Sequence, residues 1–410
     1  MIKFTGIIAE YNPFHNGHKY QIDYLRSQGA GIIAVAMSGS FVQRGAPAWA
    51  DKYLRTRMAL SQGADLVFEL PSVYALSSAE HFAYGGVSLL DALQLDSFCF
   101  GCETPSLSLL QSAADFLVQE PPIYRRILQE HLKNGASYPA AREAALCHCL
   151  PELDRDLLTG ANNILALEYL KALKKTGSSM TPLPIMRRDA GYHSTAISSD
   201  GFSSASAVRS SYKKNPSPES LVHALPPEVL YLLKGFPGRF GTDISDFDSL
   251  LYFALRQAIR HGNLTNYGDI TEDLANRIEK CLSGYQSAET FILSLKRKNI
   301  TYSRICRCLF QLLLEIPSDY TSTKTYPVPY LRLLGMRRSG SSYLRHITGI
   351  PVITKTANAW NVLDDSPYSY AKDFLAIDFF AADLYRHILL TKTGTVIPDE
   401  YHAGIMILDQ

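Results

Sequence analysis

Short apolar runs alternate with helical repeats of apolar positions through the first two hundred residues. Residues 4–9, 32–37, 66–70, 97–100 and 183–186 read as strands. Between them, 16–28 and 53–62 carry apolar residues at helical spacing, and 79–93 repeats the pattern with Phe82, Val87, Leu89 and Leu90. Strands that alternate with amphipathic helices form a parallel sheet covered by helices, so this part of the chain is expected to be an α/β, Rossmann-like domain. The polar, proline-bearing run Lys213-Lys214-Asn215-Pro216-Ser217-Pro218 breaks the pattern and marks a boundary. Beyond it strand signals thin out, while 246–260, 270–283, 303–315 and 374–390 read as helices. The expected organisation is a Rossmann-like sheet domain over residues 1–212 and a mostly α-helical domain over 213–410.

Composition agrees with two domains, because 410 residues exceed the size at which one hydrophobic core stops growing. With 46% hydrophobic and 19% charged residues, wholesale disorder is not expected. The formal charge of +1 means that a nucleic-acid partner would have to be held by a local basic patch. Met1-Ile2-Lys3 runs directly into the first strand without the charged start, long apolar middle and small-residue cleavage site of a signal peptide. No run reaches the roughly 18 apolar residues of a membrane span, so a cytoplasmic protein without a membrane partner is expected. Seven cysteines, an odd number spread along the chain, fit reduced thiols. Cys99 and Cys102 have zinc-like spacing and Cys147-His148-Cys149 could complete a ligand set. The second cluster lacks the usual two-residue spacer, so core thiols are the favoured reading and no metal is expected on the protein.

The chemistry concentrates where the first strand ends, at Glu10-Tyr11-Asn12, because open α/β sheets bind ligands beyond the carboxyl ends of their strands. Pro13 stops the strand, Gly17 permits close approach, and a helix starting near Asn16 places His15 and His18 over its first turn. Free N–H groups and the positive end of the helix dipole favour phosphate there and should keep both histidines neutral until phosphate arrives. In nucleotidyl transfer the growing charge lies on the departing pyrophosphate, so donors from His15 and His18 would lower the barrier. The plain alternative is that both merely cap and pack. Ser204-Ala205-Ser206-Ala207-Val208-Arg209 offers hydroxyls and a guanidinium at a second helix start, through Ser204, Ser206 and Arg209; an ordinary serine cap is its alternative. Ser38, Gly39, Gln43, Arg44 and Lys52 follow the second strand on the same sheet edge and are candidates for the acceptor side, or else solvated loop residues. Gly101 ends the fourth strand, where a missing side chain lets a base or ribose lie against the backbone.

Taken together, these stretches resemble the bacterial tRNA(Met) cytidine acetate ligase family of HxGH nucleotidyltransferases. The matching motifs are GIIAEYNPFHNGH at 6–18, MSGSFVQRG at 37–45, GADLVFELP at 63–71, FGCE at 100–103, NNILALEYLKAL at 162–173, RRDAGYH at 187–193 and SASAVR at 204–209. TYSRICR at 301–307 and PYLRLLG at 329–335 are similar but less distinctive. Two departures are mild: Cys102 stands where relatives carry Ser, and Ser206 where Thr is more usual.

The resemblance implies that acetate attacks the α-phosphate of ATP, that pyrophosphate leaves, and that the acetyl group of acetyl-adenylate passes to N4 of the wobble cytidine of elongator tRNA(Met). It implies an ATP site made by Ile7, Ile8, Ala9, Glu10, Tyr11, Asn12, Pro13, Phe14, His15, Asn16, Gly17, His18, Lys19 and Tyr20 with Gly101, one or both of Asn162 and Asn163, and Arg187 with Arg188. Mg²⁺ is expected to arrive with ATP, carried by phosphates and water, since no carboxylate cluster is dedicated to it. For tRNA, the candidates are Lys296, Arg297 and Lys298, Arg304 and Arg307 on one helix face, and Arg337 and Arg338. No protein partner is expected. Two rival readings stay open: an HxGH adenylyltransferase for a small carboxylate or cofactor precursor, and an RNA-binding protein with a regulatory nucleotide site.

Overall fold

The computed structural model describes residues 4–187, 197, 201–321 and 325–409. From the N-terminus it runs β1 (Phe4–Ala9), α1 (Asn16–Ser27), β2 (Ile32–Ser38), α2 (Lys52–Ser61), β3 (Leu66–Leu70), α3 (Ala79–Ala92) and β4 (Ser97–Cys102). Four longer helices follow, α4 (Leu107–Gln119), α5 (Pro122–Lys133), α6 (Tyr138–Cys149) and α7 (Ala161–Thr176), with a short turn of helix at Arg155–Thr159 before the last, and then β5 (Thr181–Met186) and α8 (Ala205–Lys214). The five strands pair in the order β3-β2-β1-β4-β5, all parallel.

Along β2 the sheet's two faces divide cleanly. Ile33, Val35 and Met37 point into a core shared with α1 and α2, whereas Ala34 and Ala36 point into the core built by α3 and α7. Both faces are covered, which is why these strands read as continuous apolar runs rather than as alternations.

After α8 the chain forms α9 (Asp248–His261), α10 (Glu272–Cys281), α11 (Ala288–Leu295) and α12 (Tyr302–Leu313). It then returns to the sheet, which the sequence does not foretell. β6 (Leu331–Arg337) pairs antiparallel with β3, and β7 (Val352–Ile353) pairs with β6. After the long helix α13 (Ala371–Thr393), β8 (Met406–Leu408) forms the far edge. The half beginning at residue 213 is therefore rich in helices but also contributes three strands to the sheet of the first half. Arg332 interrupts the apolar run of β6, and its burial is understandable only beside Glu69, the residue directly opposite on β3. Among the described residues no helix is long and apolar enough to cross a membrane.

Candidate active site

β1 has its earlier neighbours β2 and β3 on one side and β4 and β5 on the other, so the strand order reverses between β1 and β4. A crevice opens beyond the carboxyl ends of strands at such a reversal. The turn from β1 into α1 and the turn after β4 both border it.

Ile7, Ala9, Tyr11 and Phe14 are buried and anchor the β1–α1 turn from below, while Ile8 packs on Gly86. Tyr11 adopts a left-handed backbone with φ +47°, a conformation that costs a bulky residue about 1–3 kcal/mol and survives only where packing dictates it. Asn12 fixes the turn on two sides: its Oδ1 accepts from the Trp49 amide at 2.6 Å and its carbonyl accepts from Arg209 Nη1 at 2.6 Å. Pro13 is buried beside it. Asn16 Nδ2 donates to the carbonyls of Gly201 and His223 at 2.8 and 3.1 Å, Lys19 pairs with Asp23 on the outer face, and Tyr20 meets Phe202 edge-on.

The two histidines share one pattern. The Gly17 amide donates to His15 Nδ1 at 3.1 Å, and the His15 amide donates to His18 Nδ1 at 3.2 Å. With both Nδ1 atoms accepting, the proton of each neutral ring belongs on Nε2. The rings stack with centroids 3.7 Å apart and planes 25° apart, so two Nε2–H donors stand together over the first turn of α1. Burial first, then Arg187 and Arg209, pushes the His15 imidazole down to about 3. Burial first, then His15 and Arg187, holds His18 well below its ordinary value. The rings are thus neutral at physiological pH, as burial and the neighbouring guanidinium charge require.

Arg187 closes the β4 side. Its stem crosses Gly101, where a Cβ would sit 3.0 Å from Arg187 Cγ, and its Nη1 donates to Asn162 Oδ1 at 2.7 Å. Asn163 faces away: fully buried, its Oδ1 accepts from the amides of Glu103 and Thr104 at 3.0 and 3.1 Å and shapes the turn after β4. Glu103 in turn accepts from the Asn162 and Asn163 amides. Arg188 lies outside the described residues.

On the third side, Ser204 caps α8 by accepting from the Ala207 amide at 3.2 Å. Ser206 Oγ lies 3.3 Å from Arg44 Nη1 and 3.4 Å from Arg209 Nη2, which links the histidine turn to the loop after β2. In that loop the Gln43 amide donates to Glu10 Oε1 at 2.8 Å. Arg55, a residue the sequence reading does not single out, holds the loop from beneath. Fully buried on α2, it donates to the carbonyls of Glu10, Ser38 and Ala50 at 2.7, 2.8 and 2.8 Å, and to that of Gly39. One guanidinium therefore ties the ends of β1 and β2 together. Arg57, two residues on in the same helix, looks no different in the sequence, so nothing there singles Arg55 out.

Lys52 needs correcting. Sequence places it on the acceptor side, but it is buried at 3% exposure, 2.8 Å from Glu69 and 2.8 Å from Glu400. Of the basic candidates in the second half, Arg304 pairs with Asp269 at 2.8 Å, Arg307 Nη1 reaches the Gln43 carbonyl at 3.5 Å, and Arg338 pairs with Asp409. Arg337 ends β6, and Lys296, Arg297 and Lys298 lie exposed between α11 and α12. Cys99 and Cys102 are buried in β4, and Cys147 and Cys149 are half-buried on α6. Among the described residues no three His, Cys, Asp or Glu side chains are grouped to hold a metal ion.

Comparison with known proteins gives a consistent result. The profile of the HIGH Nucleotidyl Transferase family matches residues 2–396. The chain is 40% identical to a tRNA(Met) cytidine acetate ligase of Clostridium kluyveri over the full length of both, and 40% identical to one of Thermoanaerobacter pseudethanolicus over 92% of this chain and 94% of that one. Crystal structures of Thermotoga maritima TmcAL superpose over all of both chains: the apo form with a TM-score of 0.92 at 28% identity, and the form bound with alpha-thio ATP with 0.89 at 27%. With a strand-end histidine pair, a β4 crevice and full-length likeness in agreement, the chain belongs to the tRNA(Met) cytidine acetate ligase family of HIGH nucleotidyl transferases.

Proposed function

We propose that this protein activates acetate with ATP and delivers the acetyl group to N4 of the wobble cytidine of elongator tRNA(Met). The observation that carries the reading is the stacked, neutral pair His15 and His18 with both Nε2–H donors beyond β1. Neutral imidazoles keep their Nε2–H donors and present them without repelling the flanking Arg187 and Arg209. Two donors and two guanidiniums around one crevice suit the charge that grows on departing pyrophosphate.

An acetate oxygen attacks the α-phosphorus and the bond to the bridging oxygen of pyrophosphate breaks. The cytidine amine then attacks the acetyl carbon, AMP departs with the former acetate oxygen, and the amine loses a proton. The residues chiefly orient and stabilise charge. Asn162 and Arg187 act from the β4 side, Ser206 and Arg209 from α8, and Gln43 and Arg44 face the acceptor, on a loop that Arg55 keeps in register. The TmcAL form bound with alpha-thio ATP supports ATP as the nucleotide. Among the described residues no three His, Cys, Asp or Glu side chains are grouped, and Mg²⁺ would be carried chiefly by the phosphates and water. Residues 1–212 would house ATP and acetate and 213–410 would engage tRNA, in the cytoplasm where tRNA is found.

The test is transfer of labelled acetate. Full-length protein with ATP, labelled acetate and tRNA(Met) should yield tRNA containing labelled acetylcytidine, with AMP and pyrophosphate in equal amounts. Adenylation of another small carboxylate, with acetate inert, would replace this reading by that of a cofactor-type adenylyltransferase.

A further inference from the structure

We infer that the cleft between the start of α6 and the α11–α12 turn holds the phosphodiester backbone of the RNA, so that the chain passes directly from it to the acceptor loop. The inference rests on the proposed tRNA substrate and specifies where it enters.

The cleft measures about 640 Å³ and is lined by Ser137, Leu293, Lys296, Arg297, Lys298 and Tyr302, among others. The three cations are adjacent in sequence and exposed, and among the described residues none has an ion pair or a side-chain hydrogen bond. Arg304, Arg307 and Arg338 differ in this respect: Arg304 is neutralised by Asp269 and Arg338 by Asp409, while Arg307 is turned inward to Gln43. Three mutually repelling, unneutralised charges along one wall complement a polyanion, whose binding releases condensed counterions. Leu293, 55% exposed, and the partly exposed Tyr302 add the apolar surface against which an unstacked base can lie.

Position strengthens the case. Tyr302 begins α12, and five residues on, the helix touches the acceptor loop. A Cβ added to Gly45, whose φ is +75°, would lie 2.3 Å from the Arg307 amide nitrogen, so the loop rests directly on the helix backbone. At 1.5 Å per residue that contact is about 8 Å along the axis from the cleft. A single strand seated on Lys296–Lys298 thus has its next nucleotides beside Gln43 and Arg44, where the acceptor is needed. A duplex held elsewhere would not use these charges.

The experiment is tRNA(Met) binding to the full chain as a function of salt, with tRNA KM measured in parallel. It compares wild type, the triple variant Lys296→Gln, Arg297→Gln, Lys298→Gln, and Arg338→Gln. The triple variant should keep the wild-type thermal midpoint, raise the KM for tRNA about tenfold or more, and reduce the slope of log K against log salt by about 2, as expected for three lost contacts to a single strand. Arg338→Gln, whose charge is already paired with Asp409, should leave the slope unchanged, well short of the roughly 0.7 that one lost contact would remove. A triple variant with wild-type KM and slope, in a protein that does acetylate tRNA, overturns the cleft and leaves the ligase reading standing. If wild-type protein activates acetate but neither binds nor acetylates tRNA, both fall. Should the triple variant unfold, Lys296→Gln and Lys298→Gln singly decide by the same slope, each lowering it by about 0.7 or, against the inference, not at all.

Discussion

Replacing His18 by alanine is expected to slow acetyl-adenylate formation about 100- to 1000-fold while the protein stays folded, the range found when one preorganised donor to a developing anion is removed. The ring offers one Nε2–H to the crevice, and its Nδ1 only receives the His15 amide at 3.2 Å, so its loss leaves one neutral hydrogen bond unmade, worth about 1 kcal/mol. Asparagine or glutamine, which keep a donor, should recover part of the rate. The pH dependence separates this role from acid–base catalysis. His15 titrates at about 3 in the folded chain against 6.5 when unfolded, and His18 is depressed in the same direction, chiefly by burial. The folded state therefore binds fewer protons than the unfolded state below pH 6.5. The stability that depends on neutral rings is complete above that value and declines as pH falls toward 3. Across pH 6.5 to 8 the rate of adenylation should show no histidine ionisation. A kcat profile with a step near 6.5 that disappears in His18→Ala would mean that the ring shuttles a proton instead.

Glu69→Leu is expected to destabilise the fold by about 3–5 kcal/mol, the cost of breaking a buried ion network from one side. Glu69 and Arg332 face each other across β3 and β6 at 2.9 Å and both are 2% exposed. Lys52, from α2, lies 2.8 Å from Glu69 and 2.8 Å from Glu400, and Glu400 also meets Arg332. Two anions thus balance two cations out of water. Burial and Arg332 work against the Lys52 ammonium, but Glu400 and Glu69 outweigh them and hold it above its usual value. For Glu400, burial works upward, but Lys52 and Arg332 bring it down to about 2. Without Glu69, two buried cations share a single carboxylate. The same carboxylate supports the loop after β2, since a Cβ on Gly39 would lie 2.3 Å from its Oε1. Urea unfolding should show the loss directly. The exposed pair Lys19 and Asp23 is the contrast, and Asp23→Ala should cost less than about 1 kcal/mol. An unchanged midpoint for Glu69→Leu would deny the network its part in joining the two halves.

β1 to β4 were readable because they are largely buried on both faces and appear as apolar runs, the edge strand β5 because of its short apolar stretch at 183–186, and the histidine turn because His, Pro and Gly stand at fixed places after the first strand. β6 was not, because Arg332 breaks its pattern and its partner Glu69 lies far away in sequence. The same blindness to distant partners put Lys52 on the acceptor side: an Asp-Lys pair after a loop looks solvated until Glu400 arrives from the C-terminal segment. Asn162 and Asn163 are adjacent and chemically identical, so only the geometry directs one to Arg187 and the other to the turn after β4. Arg55 was invisible for a related reason. Its partners are backbone carbonyls, which leave no trace in side-chain identity.

The central claim is that acetate attacks the α-phosphate at the histidine turn, and oxygen transfer tests it most directly. With acetate labelled by ¹⁸O in both carboxylate oxygens, one turnover on tRNA should place a single ¹⁸O in AMP and none in pyrophosphate. AMP without label, or label appearing in inorganic phosphate alongside ADP, would contradict it.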